Sequence, residues 1–285
     1  MSSKGAQLRK TMAKGMVLAP FVYDGFTARI AAGQGAPAVY MTGHGTSAQL
    51  GLPDVGLTSM AEMAANLGYI SSAVDVPVIA DADTGYGNAI NAQRTVREYE
   101  TAGAAAMHLE DQVFPKRCGF FEGKQCVPME EHVQKIRAAL DARTDPGLVI
   151  IARTDAVAPN GWDDAVKRAE AYHEAGADMV FVDGIRTLDD VDTYTTRLVE
   201  QGLSCLYNGS LLPAPDMADR GFKLMITGGG HALSYAAVCQ ALRDLKEGGG
   251  IGEPRDTDRF NATTSLLGLP EIYELEKRYA VDQAD

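Results

Sequence analysis

The chain has 285 residues, with 38 Asp and Glu against 26 Lys and Arg, a formal net charge of −12 and a pI near 4.9. A hydrophobic share of 46% and a charged share of 22% describe a globular protein rather than a disordered tail, at a length that suits one large domain or two ordinary ones. The acidic balance excludes nucleic acid or an anionic membrane surface as partner, because both require clustered Lys and Arg.

The opening segment, MSSKGAQLRKTMAKG, is polar and basic with no apolar stretch behind it, and nowhere do about 18 uncharged apolar residues run together. This pattern predicts a cytoplasmic protein. Short apolar runs then recur through the chain: MVLAP (16–20), AVYMTG (38–43), PVIADAD (77–83), AAMHLED (105–111), LVIIARTD (148–155), DMVFVDG (178–184), SCLYN (204–208) and KLMITG (223–228). Stretches with helical periodicity lie between them, at Met60–Ser72, Ala92–Ala102, Glu130–Arg143, Asp163–Ala175 and Ala232–Leu245. Eight buried strands alternating with crossover helices predict a single α/β domain, a closed (β/α)8 barrel over residues 1–285. A doubly wound open sheet fits less well, since no GxGxxG opens the first helix and polar residues end most strands.

Two segments break the rhythm. Residues 112–128, QVFPKRCGFFEGKQCVP, form a loop long enough to act as a mobile lid, and 247–260, EGGGIGEPRDTDRF, connect to a C-terminal helical extension over 253–285. Neither Cys118, Cys126, Cys205 nor Cys239 belongs to a CxxC pair, which suits a reducing compartment. Cys205 and Cys239, in apolar surroundings, are expected in the core, and a Cys118–Cys126 disulfide is only weakly suggested.

Asp81 and Asp83 end the third apolar run two residues apart. On a strand they share a face, at the barrel mouth where active sites lie. Two such carboxylates repel unless they share a proton or a divalent cation, and Glu110 from the next strand adds to a Mg²⁺ site. Asp111 is expected to cap the helix that follows. Lys116 and Arg117 flank Cys118 and should lower its pKa, making it a reactive thiol on a loop that carries it to substrate. Arg153 at a strand end suits a bidentate clamp on a substrate carboxylate, or else an ion pair with a neighbouring acid. His108 either lines the site or is a structural histidine, and Thr42, Gly43, His44 and Gly45 offer amides and a hydroxyl to an anion.

The segments MTGHGTSAQLGLPDVG, DADTGYGNAINAQRTVREYE, HLEDQVFPKRCG and IIARTDA closely resemble the isocitrate lyase and phosphoenolpyruvate mutase superfamily, from about Met16 to the C-terminus. KRCG after ED resembles most the carbon–carbon lyase branch that includes methylisocitrate lyase, dimethylmalate lyase and the petal death protein. The resemblance implies a modified (β/α)8 barrel, a Mg²⁺ or Mn²⁺ ion and dimers or tetramers that exchange C-terminal helices. It implies Asp83 as direct metal ligand, with Asp54, Asp81 and Glu110 holding metal-bound waters. Thr42, Gly43 and His44 match a segment gripping a 2-oxo-acid carboxylate, Arg153 its guanidinium partner, Tyr40 a tyrosine near the reacting hydroxyl, and Asn208 a substrate-binding asparagine. Cys118 matches the catalytic acid, with Lys116, Arg117 and Gly119 around it.

Three positions depart from the family pattern. The His after KRCG is Phe120, the Glu ending the sixth strand is Asp183, and GlySerLeuLeuProAlaPro replaces a Glu-containing segment after Asn208. The expected activity is metal-dependent retro-aldol cleavage of a 2-hydroxy di- or tricarboxylate to pyruvate or glyoxylate, the substrate having a less polar far end or being held differently. A 2-oxo-acid decarboxylase or a phosphonate P–C enzyme on the same site is the alternative.

Overall fold

The structure, a computed structural model, describes residues 3–119, 121–248 and 257–280. Eight parallel strands close into a barrel in sequence order. They are β1 (Val17–Val22), β2 (Val39–Met41), β3 (Val78–Asp81), β4 (Ala106–Glu110), β5 (Val149–Thr154), β6 (Met179–Val182), β7 (Cys205–Asn208) and β8 (Leu224–Thr227), with β8 pairing back to β1.

Unbroken apolar runs form most of these strands because both faces are buried, β1 with its exposed Leu18 being the exception. In β5, Val149 and Ile151 point inward beside Ile79, Phe181 and Leu206, while Ile150 and Ala152 point outward against the helices. This alternation carries the functional residues inward: Arg153 follows Val149 and Ile151, and His108 and Glu110 follow Ala106. The N-terminal segment, read from sequence only for targeting signals, is the helix Lys4–Met12. Its Ser3 caps the amide of Ala6, and its Leu8 joins the inner cluster where the strands begin.

The expected helices appear as Met60–Ala73, Ala89–Thr101, Met129–Ala142 and Trp162–Glu174. The first opens with Ser59 and Glu62 in a reciprocal capping box, the second with Asn88 and Asn91. The run expected at Ala232–Leu245 is the helix Gly230–Gly248. Contacts divide the chain into two compact units, Met1–His231 and Ala232–Asp285, so the division falls ahead of most of this helix. The second unit also contains Thr257–Leu266 and Leu269–Tyr279, and none of its described residues is buried. Cys239 is therefore only half-buried, outside any core, whereas Cys205 is fully buried as expected. Most of the connector (249–256) lies outside the described residues. Among those described, no helix is long and apolar enough to cross a membrane.

Candidate active site

A cavity of about 440 Å³ opens at the C-terminal ends of the strands. Its wall includes Tyr40, Thr42, His44, Asp54, Asp81, Lys116, Cys118, Gly119, Arg153, Asp183 and Asn208. Asp83 and Glu110 are buried and do not reach the wall. Strand register sets the neighbours, pairing Asp81 with His108 and Glu110 with Arg153.

Asp81 and Asp83 converge, but not by strand alternation. β3 ends at Asp81, and Asp83 lies beyond it at a φ of 46°, in the left-handed region that Asp tolerates better than most residues. The turn is closed by the Asp83 amide, which donates to Asp81 Oδ1 at 3.0 Å. Asp81 Oδ2 accepts from the Gly43 amide at 3.1 Å, and a Cβ at Gly43 would stand 2.5 Å from that oxygen. Only glycine can bring the chain so close.

Lys116 occupies the middle of the acidic cluster, its Nζ 2.6 Å from Asp54 Oδ1 and 2.7 Å from Asp83 Oδ1. Burial works against its charge, but Asp83, Glu110, Asp81 and Asp54 raise its pKa well above the ordinary lysine value. The paired carboxylates are driven apart. Burial pushes Asp83 up to about 6, with Asp81 and Asp54 adding and Lys116 opposing. Burial also acts to raise Asp81, but His108, Lys116 and Arg153 outweigh it and hold that group at about 2. Burial raises Glu110 most, and neither of its carboxylate oxygens has a hydrogen bond.

The donor set of Asp54, Asp81, Asp83 and Glu110 fits Mg²⁺, a hard cation that takes oxygen ligands, and the buried oxygens of Glu110 have no hydrogen-bond donor. The four do not form a closed cage. Among the described residues, only His44, Asp54 and Cys118 bring three potential ligand atoms within 4.8 Å of one another, a mixed set suited to a softer metal. An open carboxylate arrangement suits an ion that keeps several of its waters.

Tyr40 lies 2.7 Å from His108 Nε2 and 3.5 Å from Asp81 Oδ2. Burial and then Asp81 raise its pKa well above that of an ordinary phenol, while burial lowers His108 to about 4. The phenol is thus a protonated donor beside a neutral imidazole, so His108 belongs to the site. Arg153 lines the cavity and makes the ion pairs that were the second expectation for it. Its Nε and Nη2 bind Asp155 at 2.8 and 3.0 Å, Nη2 also meets Asp183 at 2.5 Å, and Nη1 stands 3.4 Å from Glu110. A guanidinium this buried needs carboxylates of its own. Asp183 in turn accepts from Asn208 at 3.1 Å.

Asp111 is not a helix cap. Fully buried, it accepts from Thr154, Tyr172, Arg168 and the Asp155 amide at 2.7, 2.8, 3.1 and 2.9 Å. Pro128 precedes the next helix and makes no side-chain cap. Burying Asp111 among these four donors satisfies it far from solvent.

The 112–128 loop folds over the cavity. Gln112 bridges to Cys126, and the Gln112 side chain pairs with the Arg117 backbone at 2.9 and 2.8 Å. The Cys118 amide donates to Asp54 O at 3.1 Å, which sets the thiol beside the acids. Of the two cations expected around that thiol, Lys116 pairs with the carboxylates while sharing the cavity wall with Cys118, and exposed Arg117 donates to Glu122 O at 3.0 Å. Gly119 packs against Asp183 and Arg153, where a Cβ would collide with the Asp183 carboxylate. Cys118 and Cys126 are not disulfide-bonded, and Phe120 lies outside the described residues. Three contributors were not anticipated: Lys124, Asp155 and His231, whose ring sits 4.4 Å from that of His44. Only Asp155 carried a signal, two residues after Arg153 in ARTD.

A family model described as phosphoenolpyruvate phosphomutase matches residues 8–246. The chain is 42% identical to 2,3-dimethylmalate lyase of Eubacterium barkeri, over 96% of this chain and 98% of that protein. Oxaloacetate acetylhydrolase, solved with the inhibitor 3,3-difluorooxalacetate, aligns at a TM-score of 0.90 and 33% identity, covering 96% of each chain. Phosphonopyruvate hydrolase, solved with oxalate and Mg²⁺, aligns at 0.86 and 31% identity, covering 97% of this chain and 99% of that one. With the barrel, the carboxylate cluster and these matches all spanning the same residues, the chain belongs to the phosphoenolpyruvate phosphomutase family, within the PEP mutase/isocitrate lyase superfamily.

Proposed function

We propose that this protein is a Mg²⁺-dependent carbon–carbon lyase that cleaves a 2-hydroxy di- or tricarboxylate of the alkylmalate or methylisocitrate kind to pyruvate or glyoxylate and a second carboxylic acid. The observation that carries this reading is the meeting of Cys118, Tyr40 and Asp81 on the wall of one cavity. The lyase relative at 42% identity agrees with it. Asp83, Glu110, Asp81 and Asp54 would hold the ion, with Mn²⁺ as a substitute, and when bound it supplies a Lewis acid for the 2-hydroxyl and its neighbouring carboxylate.

The chain's own residues do the proton work. With Nε2 of His108 unprotonated, Tyr40 takes the hydroxyl proton as it passes its own to that nitrogen, 2.7 Å away. The bond between the 2-carbon and 3-carbon then breaks toward the 3-carbon, leaving an oxo acid and a carboxylate-stabilised carbanion. Cys118 gives its proton to that carbanion, while Phe21 and Phe121 on the wall limit water. Thr42, Gly43, His44 and Asn208 face the substrate's carboxylates and oxygens. Lys116 stabilises the acids, and Arg153 with Asp183 forms the rigid wall behind them.

Pyruvate release from a panel of 2-hydroxy-2-alkyl and 3-alkyl malates, with and without EDTA, tests this function. Turnover should appear for at least one of them and vanish on chelation. Cys118→Ser should lower turnover by about a hundredfold or more while leaving Mg²⁺ binding by calorimetry unchanged. A fully active variant would remove Cys118 as the acid. Likeness to phosphonopyruvate hydrolase favours P–C cleavage as the second reading, which phosphate release from a phosphono-oxo acid would establish.

A further inference from the structure

Lys124 carries a buried charge that the chemistry above does not use. Its side chain is 2% exposed, and its Nζ donates to Gly119 O at 2.6 Å and Asp155 Oδ1 at 3.0 Å. A buried ammonium is costly unless ionised and polar partners surround it. These two partners are the residue after Cys118 and the carboxylate that grips Arg153.

Asp155 is itself immobile. Its Oδ1 accepts Arg153 Nη2 as well as Lys124, and its backbone amide is fixed by Asp111, which Arg168 and Tyr172 hold from below. Opposing charges keep Asp155 ionised: burial raises its pKa, but Arg153 and Lys124 lower it far below the usual carboxylate range. The thiol residue and the one before it are also tied, Cys118 to Asp54 and Arg117 to Gln112 within the loop. Lys124 ties Gly119 to Asp155, just beyond β5, and Gly119 is pressed on its other side against Asp183 and Arg153.

We propose that Lys124 is a positioning residue that latches the Cys118 loop over the cavity by bridging Gly119 to Asp155. The inference rests on the lyase reading only for its effect on rate. Loss of the ammonium frees the Gly119 carbonyl from Asp155, so Cys118 spends less time aimed at the substrate while Asp54, Asp81 and Asp83 keep their partners.

The test uses the full chain with Mg²⁺ and the variants Lys124→Met and Lys124→Ala. Iodoacetamide labelling of Cys118, followed by peptide mass spectrometry, reports loop opening without any turnover. Labelling should be about tenfold faster in Lys124→Met than in the parent, the size expected of a charge-assisted hydrogen bond. On whichever malate the parent cleaves, kcat should fall by about the same factor with KM nearly unchanged. Propylamine should restore both protection and kcat to Lys124→Ala by placing an ammonium where Nζ stood. Labelling at the parent rate in a folded Lys124→Met, or in Lys124→Ala should the Met variant not fold, would overturn the latch. So would failure of propylamine to restore protection to Lys124→Ala. A parent inactive on every malate would defeat the lyase reading instead, and the labelling ratio would still decide the latch.

Discussion

Gly119 shows how one residue's size can govern the site. Its α-carbon lies so near the Asp183 carboxylate and the Arg153 guanidinium that a methyl group has no room, and it directly follows the candidate acid. Gly119→Ala should therefore push the loop outward, lowering turnover by about tenfold or more, with a thermal midpoint close to the parent's. Kinetics and a melting curve on one preparation would check it, and full activity would mean the loop is not seated on Asp183 during the reaction. At this scale the chemistry-bearing types were legible in the sequence: carboxylates at strand ends, a thiol in a loop, an arginine in ARTD. Their pairings were not. Of the two roles expected for Arg153, substrate clamp or ion pair, the structure displays the ion pair, with Asp155 two residues on and Asp183 from the end of the next strand, because burial of a guanidinium selects for carboxylates.

Among the elements, the barrel strands were readable because burial on both faces leaves an apolar run that no exposed segment would keep. Their ends were less so. Asp81 and Asp83 share a site through a left-handed turn rather than through a continued strand, a local geometry that two-residue spacing does not reveal. Helix starts carry their own signal, as in Ser59 and Glu62, which cap each other at the head of Met60–Ala73. Ser59→Ala removes the side-chain acceptor for the Glu62 amide and should cost about 1 kcal/mol of stability. Urea unfolding would show it as a lower midpoint with an unchanged slope. Activity should be unaffected, since Ser59 does not line the cavity.

For the molecule as a whole, the second unit presents large apolar side chains to solvent: Leu233 at 69%, Tyr235 at 73%, Phe260 at 69% and Tyr279 at 70%. Monomers seldom leave so much apolar surface uncovered. The chain is therefore expected to form a homodimer or homotetramer, and light scattering on the purified protein would measure it. A species of 30.4 kDa at micromolar concentration would contradict this.

The alternation of apolar runs and amphipathic helices determined the barrel from sequence alone, since both periods are local and each follows from which faces must leave water. The acids and the thiol were likewise named by position in the chain. Tertiary structure decided where each charge went. Lys116 lies among the acids, Arg117 is exposed, Asp111 sits beneath Asp155, and Lys124 reaches from the loop to Asp155 just beyond β5. A buried charge must find its counter-charge wherever the fold brings one within reach, and that reach spans residues far apart in sequence.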